Sequence, residues 1–325
     1  MKRFGGAGDE YPLGIAADAN NVYVLSSDPA DFGSGLAKNV AKLSGATGSH
    51  VWSRGCNAAF NSGATLLGTG GTVSVDPNGN VVVAGTFSGT SITCEGSTAS
   101  GNAGGGRAGL VWKLSSSGGN VWTKSFTDPT NKSVWLVGLD TDSSGSIWIT
   151  GQTQGVTSFG CAAPTLGTTY AAASVVKLDS TGACSFQKKY DTGASVATSV
   201  AVGSLGGPVV AGYFSAAINL TGTTISTTNT DGFVVQLNSS GTAQWGTTQE
   251  GVFNVDVALD STDSVLLGET TTTFGGGSGA IQKLSKANGA TLWTRPLGSV
   301  LGVGAGGPLN LVYASLGGSL SRIDP

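Results

Sequence analysis

"VDPNGNVVVAG" (75–85), followed after a loop by "GLVWKLSSSGGNVW" (109–122), packs four short apolar or β-branched runs between turn residues. The first run ends in Asp76-Pro77-Asn78-Gly79, the second is Asn80–Gly85, the third ends at Leu114, and the fourth follows a Ser/Gly turn and carries Trp122. Runs of this length, with Asp, Asn, Gly and Ser between them, read as strands joined by tight turns. Together they form one four-stranded antiparallel unit.

The unit recurs along the whole chain. First runs are "LGIAAD" (13–18), "VSVD" (73–76), "VGLD" (137–140), "SVAVG" (199–203), "VDVALD" (255–260) and "VLGVG" (300–304). Second runs are "NVYVLS" (21–26), "NVVVAG" (80–85), "SIWITG" (146–151), "PVVAG" (208–212), "SVLLG" (264–268) and "LNLVYAS" (309–315). Third runs end at Leu43, Leu114, Leu178, Leu237, Leu284 and Ile323, and fourth runs carry Trp52, Trp122, Phe186, Trp245 and Trp293. The sixth copy has no fourth run after "SLSRIDP", whereas "KRFGG" near the start places Phe4 where the other copies place their aromatic. Radially repeated four-stranded units describe a β-propeller. A strand from one end of the chain that completes the blade from the other end hides the seam. The expectation is therefore an all-β, six-bladed β-propeller in one domain (1–325). Its blades span about 11–54, 72–126, 133–190, 197–249, 252–296 and 298–325 with 1–6.

Two pairs of segments carry a resemblance: "VDPNGNVVVAG" with "GLVWKLSSSGGNVW", and "LDTDSSGSIWITG" (139–151) with "SVVKLDSTGACSF" (174–186). They resemble the β-propeller repeats of bacterial cell-surface and secreted proteins (SBBP-like repeats). The resemblance implies the propeller fold and an extracellular or cell-surface location. It implies little chemistry, because fold does not determine function.

Only 11% of residues are charged and 54 are Gly, against about 25% and roughly 7% in ordinary soluble proteins. The net charge of -3 and the absence of a basic run leave no phosphate-binding footprint, so no nucleic-acid partner is expected. Pro296 to Ser321 holds no charge, but Gly, Pro308 and Asn310 break it, so no membrane span is expected either.

No cofactor or metal is expected. The acidic turns 76–80, 140–146 and 260–264 superficially suggest calcium loops, yet tight turns demand the same residues. "GVGAGG" (302–307) matches a dinucleotide fingerprint but has no place in a βαβ unit. His50 is the only histidine, and no nucleophile elbow is present. Lys42, Lys113, Lys177 and Lys283 recur in register and read as structural, with stems along apolar surface. Cys56, Cys94, Cys161 and Cys184 have no zinc spacing. All four are disulfide candidates: Cys56 and Cys94 fall in loops of the same face and suit a pair, whereas a simple blade sets Cys161 and Cys184 toward opposite ends, so that pair requires the long loop to fold back beside the outer strand.

Turns between first and second runs, and between third and fourth, are short, while the other connections are long. Recognition is expected on the face carrying residues 54–72, 86–106, 152–170 and 213–230. Candidate contacts there are Phe32, Glu95, Arg107, Phe159, Tyr170, Tyr213, Asn219, Asp231 and Phe274. The leading expectation is a non-catalytic binding or adhesion module for glycan or protein, monomeric in isolation or part of a longer polypeptide. A purely structural spacer of an adhesin or fibre is the alternative. An enzyme using the aspartates in or just after the innermost strands, Asp18, Asp76, Asp140, Asp256 and Asp260, is a more distant one, testable by shifted ionisation in the channel.

Overall fold

In the computed structural model, described residues are 12–35, 37–58, 71–161, 170–190, 192–204, 206–271, 278–298, 300–306, 311–316 and 319–323. Among them the chain is all-β, without helices. Blade 1 consists of β1 (Pro12–Ala17), β2 (Asn21–Asp31), β3 (Ala37–Ser44) and β4 (His50–Arg54). Blade 2 consists of β5 (Gly71–Val75), β6 (Val81–Phe87), β9 (Ala108–Leu114) and β10 (Asn120–Phe126), with a separate hairpin, β7 (Ser91–Cys94) and β8 (Ser97–Ser100), inserted between β6 and β9. Blade 3 is β11 (Val134–Thr141), β12 (Ile147–Thr153), β13 (Ala172–Leu178) and β14 (Cys184–Tyr190). Blade 4 is β15 (Ser195–Val202), β16 (Pro208–Asn219), β17 (Thr224–Leu237) and β18 (Ala243–Gln249). Blade 5 is β19 (Phe253–Leu259), β20 (Val265–Thr270), β21 (Gly279–Leu284) and β22 (Thr291–Leu297). A last sheet holds β23 (Val300–Gly306), β24 (Leu311–Leu316) and β25 (Ser319–Ile323).

Complete four-stranded blades thus number five among the described residues, not six, and the last sheet has three strands. The segment expected to complete it, with Phe4, lies outside the described residues. The six innermost strands β1, β5, β11, β15, β19 and β23 line one central cavity of about 760 Å³. This is a β-propeller arrangement.

Each blade is buried on both faces, which explains why its middle strands read as continuous apolar runs. Every residue of β6, β9 and β12 is buried. Alternation sends neighbouring side chains to opposite interfaces: Ile147 and Ile149 pack with Val82, Ala84 and Val111 of blade 2, while Trp148 packs with Val210 and Phe233 of blade 4.

A repeated latch joins consecutive blades. The Nε1–H of Trp52 donates to Ser116 O at 3.1 Å, that of Trp122 to Ser180 O at 3.2 Å, and that of Trp245 to Lys286 O at 2.9 Å. In each case the fourth strand of one blade reaches the last turn of the next. The ring covers a turn glycine there: Gly118, Gly182, Gly241 and Gly289 have φ of +83°, +81°, +87° and +71°, a region open chiefly to glycine. A Cβ at Gly289 would lie 2.6 Å from Trp245, and one at Gly118 2.9 Å from Trp52.

The recurrent lysines do more than lie along apolar surface. Lys113 Nζ sits 2.9 Å from Asp76 and also donates to Ser180 O at 3.3 Å; Lys177 Nζ lies 3.4 Å from Asp142 and 3.0 Å from Ser239 O. Lys283 pairs with Asp260 at 2.8 Å. These three ammonium groups therefore pair with the first turn of their own blade, and those of blades 2 and 3 also bond the last turn of the next. Lys42 of blade 1 makes the second contact, to Ser116 O at 3.3 Å, without the ion pair among the described residues.

Candidate functional site

The face carrying the long connections is elaborated by three devices. The first is the β7–β8 hairpin, stapled by a Cys56–Cys94 disulfide to the connection leaving blade 1. Backbone bonds from Glu95 N to Gly55 O (3.3 Å) and from Asn57 N to Thr93 O (2.9 Å) extend this staple into a small sheet edge. The second is a Cys161–Cys184 disulfide. Cys184 opens an outer strand near the opposite face, so this pair forms in the way the sequence allows, with the long connection turning back beside that strand. Residues 159–161 lie beside β14, where Phe159 N donates to Gln187 Oε1 at 3.3 Å and Cys161 is bonded to Cys184. The third is the β16–β17 hairpin, whose strands run 12 and 14 residues and carry it past the blade. Its projecting part is rich in Thr, Ser and Asn, with Thr224, Ser226, Thr228 and Asn229 exposed.

The structure does not bring the nominated contact residues together as one exposed patch. Phe32, Phe159 and Asp231 are buried at 2%, 3% and 8% exposure. Phe32 packs with Ala30, Ala41 and Leu43; Phe159 stacks obliquely on Phe126 at 4.9 Å; Asp231 accepts from Gly251 N at 2.9 Å. These three shape loops. Tyr213 meets the edge of Phe253 at 4.9 Å, and burial pushes its hydroxyl up to about 12. The backbone of Arg107 is held by Ser133 Oγ and Asn102 Nδ2, at 3.1 and 2.7 Å. Glu95, at φ +45°, accepts from Lys38 Nζ at 3.2 Å and Gly55 N at 3.0 Å. Burial works against its charge, yet these hydrogen bonds hold the carboxyl below its usual range. Asn219 turns the β16–β17 tip by accepting from Gly222 N at 2.8 Å, and Tyr170 is exposed at 49%. Phe274 lies outside the described residues.

The central cavity presents two carboxyls. Asp140 accepts from Ser74 Oγ of blade 2 at 3.2 Å and from Val202 N of blade 4 at 2.8 Å. Asp256 repeats the arrangement two blades on, with Ser199 Oγ at 2.6 Å and Val303 N at 3.0 Å. Each ties its blade to both neighbours. Desolvation raises both carboxyls above the usual range despite these donors. Both therefore show the shifted ionisation in the channel that the enzyme reading asks for, while each is held by donors from the two adjoining blades. Sequence reading aligned Asp140 with Asp76 as a turn former. In the structure Asp142 takes that place, accepting from Ser144 N and Ser146 N at 3.0 and 2.9 Å.

The turn carboxylates are likewise engaged. Asp76 bonds Asn78 N and Asn80 N, each at 2.9 Å, as well as Lys113. Among the described residues no group of three or more His, Cys, Asp or Glu is placed to hold a metal ion, and no helix is long and apolar enough to cross a membrane.

No family model and no curated protein matches the chain. Among solved structures it is similar to the hydrazine synthase of Kuenenia stuttgartiensis, at a TM-score of 0.49 and 9% identity, covering 97% of this chain and 95% of that one.

Proposed function

We propose that the chain is a rigid six-bladed disc that acts as a non-catalytic binding module, recognising glycan or protein through the face with the long connections. The observation that carries this reading is asymmetry. One face carries a stapled hairpin and a projecting hydroxyl- and amide-rich hairpin; the other carries short turns and, in blade 3, the Cys184 end of the second disulfide. A rigid scaffold with its long elaborations gathered on one face is how binding surfaces are commonly built. Threonine, serine and asparagine side chains supply the donors and acceptors that sugars and polar protein surfaces require.

In this reading the segment carrying Phe4 completes the last sheet beside β25 and lays its ring on Gly48, whose φ of +65° matches the other turn glycines, as Phe186 covers Gly241 without a hydrogen bond. The two disulfides support an oxidising, extracellular or cell-surface setting. The test is a glycan array with the full chain beside a variant whose 216–230 hairpin is replaced by a two-residue turn. Binding that disappears with the hairpin supports the reading; binding that survives it moves recognition elsewhere.

A further inference from the structure

Blade 4 departs from its neighbours in two places at once. Its first turn opens with Gly203, where blades 2, 3 and 5 have Asp76, Asp142 and Asp260. The turns are otherwise equivalent, with Gly79 N to Asp76 O at 2.8 Å and Gly145 N to Asp142 O, Gly206 N to Gly203 O and Asp263 N to Asp260 O all at 2.9 Å. Its third strand has Gln236 where those blades have Lys113, Lys177 and Lys283, as the register against Val209, Val82, Trp148 and Leu266 shows. Both halves of the recurrent ion pair are missing together.

A cavity of about 460 Å³ opens at this spot, between blades 4 and 5 on the short-turn face, within the range of small-ligand sites. Its walls retain the acceptors of an ammonium site. Lys286 O accepts from Trp245 Nε1 at 2.9 Å. The equivalent Ser116 O and Ser180 O each accept from a tryptophan and also from a lysine, Lys42 or Lys113, at 3.3 Å. Gln236 Oε1 is buried with no hydrogen-bond partner among the described residues. The Asp263 carboxylate reaches over from blade 5, held by Ser204 N at 3.1 Å and Ser204 Oγ at 2.6 Å, with its Cγ 3.6 Å from where a Cβ on Gly203 would stand. Lys286 Nζ does not fill the place: it lies 4.0 Å from Asp263 on a side chain 55% exposed. Val209, Leu237 and Leu259 supply an apolar wall.

We infer that this cavity binds a small primary ammonium compound with a short apolar stem. Its three N–H donors replace the missing lysine head against Asp263, Lys286 O and Gln236 Oε1, and its stem lies along the apolar wall. The site is on the opposite face from the proposed recognition loops and stands independently of them.

The test uses the full chain and n-butylammonium, with n-butanol as its uncharged counterpart, followed through the NMR signal of the Trp245 indole N–H. The expected result is a saturable shift with n-butylammonium and none with n-butanol, weakened about tenfold or more in Asp263→Asn, which loses a charge-assisted contact. The double variant Gly203→Asp/Gln236→Lys rebuilds the internal pair and should abolish the shift while raising Tm. Equal shifts with n-butanol, no shift up to about 50 mM, or undiminished binding in the double variant would each overturn the proposal. Should the double variant not fold, Asp263→Asn decides: unchanged affinity there overturns it.

Discussion

Glu269 is the buried charge whose removal should help the protein. It lies on β20 at 4% exposure, accepts from Gln282 Nε2 at 3.1 Å, and leaves Oε1 with no hydrogen-bond partner among the described residues. Asn254, paired with it across β19 and β20, leaves a buried Oδ1 in the same condition. Burial lifts the Glu269 carboxyl from 4.5 to about 7, against the one opposing donor from Gln282. The fold therefore holds the proton more tightly than the unfolded chain does. Stability is fully present below the unfolded value, falls as pH rises between about 4.5 and 7, and is level above that. The lifted carboxyl corresponds to a loss of about 3 kcal/mol across that window. Glu269→Gln keeps the size and the acceptor for Gln282 and removes the ionisation. Urea unfolding of both proteins at pH 4 and pH 8 should show near-equal stability at the lower pH and a gain of about 3 kcal/mol for the variant at the higher. A variant no more stable than the parent at pH 8, or a gain equal at both values, would refute the reasoning.

Other interactions give sharper losses. Lys113→Met leaves Asp76 buried beside no cation and should cost about 3–5 kcal/mol in chemical denaturation. Trp122→Ala removes both the half-buried ring over Gly182 and the bond to Ser180 O, with a loss of about 2 kcal/mol by the same assay. Removing the Cys56–Cys94 bridge by a double Ser variant frees a separation of 38 residues and should lower stability by about 4 kcal/mol on chain entropy. Hydrogen bonds and paired lysines hold Asp76, Asp142 and Asp260 below the carboxylate range against burial, Asp260 at about 2. Their contribution is present above the unfolded value and is lost as pH falls through the folded one. Acid titration should therefore show unfolding between pH 4 and about 2 that shifts upward in Lys283→Met.

The propeller was legible because its signal is repeated: turn residues, apolar middle strands and one aromatic per unit recur regardless of loop length. What misled was register within a unit. Matching the glycine of "SVLLG" to that of "PVVAG" sets Gly268 against Gly212, whereas pairing to the inner strand puts Glu269 there, opposite Asn254 as Gly212 is opposite Ala197. Asp140 was likewise read as a turn residue two positions early, although "DTDSSGS" offers two aspartates and the pattern Asp142-x-x-Gly145 matches Asp76-x-x-Gly79. A one-residue slip exchanges the faces of a strand, so composition finds the strand and pairing decides what it does. Loop candidates such as Phe32 and Phe159 were less legible still, since an aromatic in a long connection serves packing or recognition equally well until its burial is known. Position alone showed that the recurrent Asp and Lys of blades 2, 3 and 5 pair with each other, although Gly203 and Gln236 already stood in their places in blade 4.

Closure of the ring is tested most directly by hydrogen exchange at the amides of β25, Ser319–Ile323, in the full chain and in one lacking residues 2–6. A completed last blade predicts that amides on the outward edge of β25 exchange slowly in the full chain and at nearly open-chain rates after the deletion, with a loss of global stability. Unchanged protection and unchanged stability would contradict it and leave β25 as the uncovered edge of a three-stranded sheet.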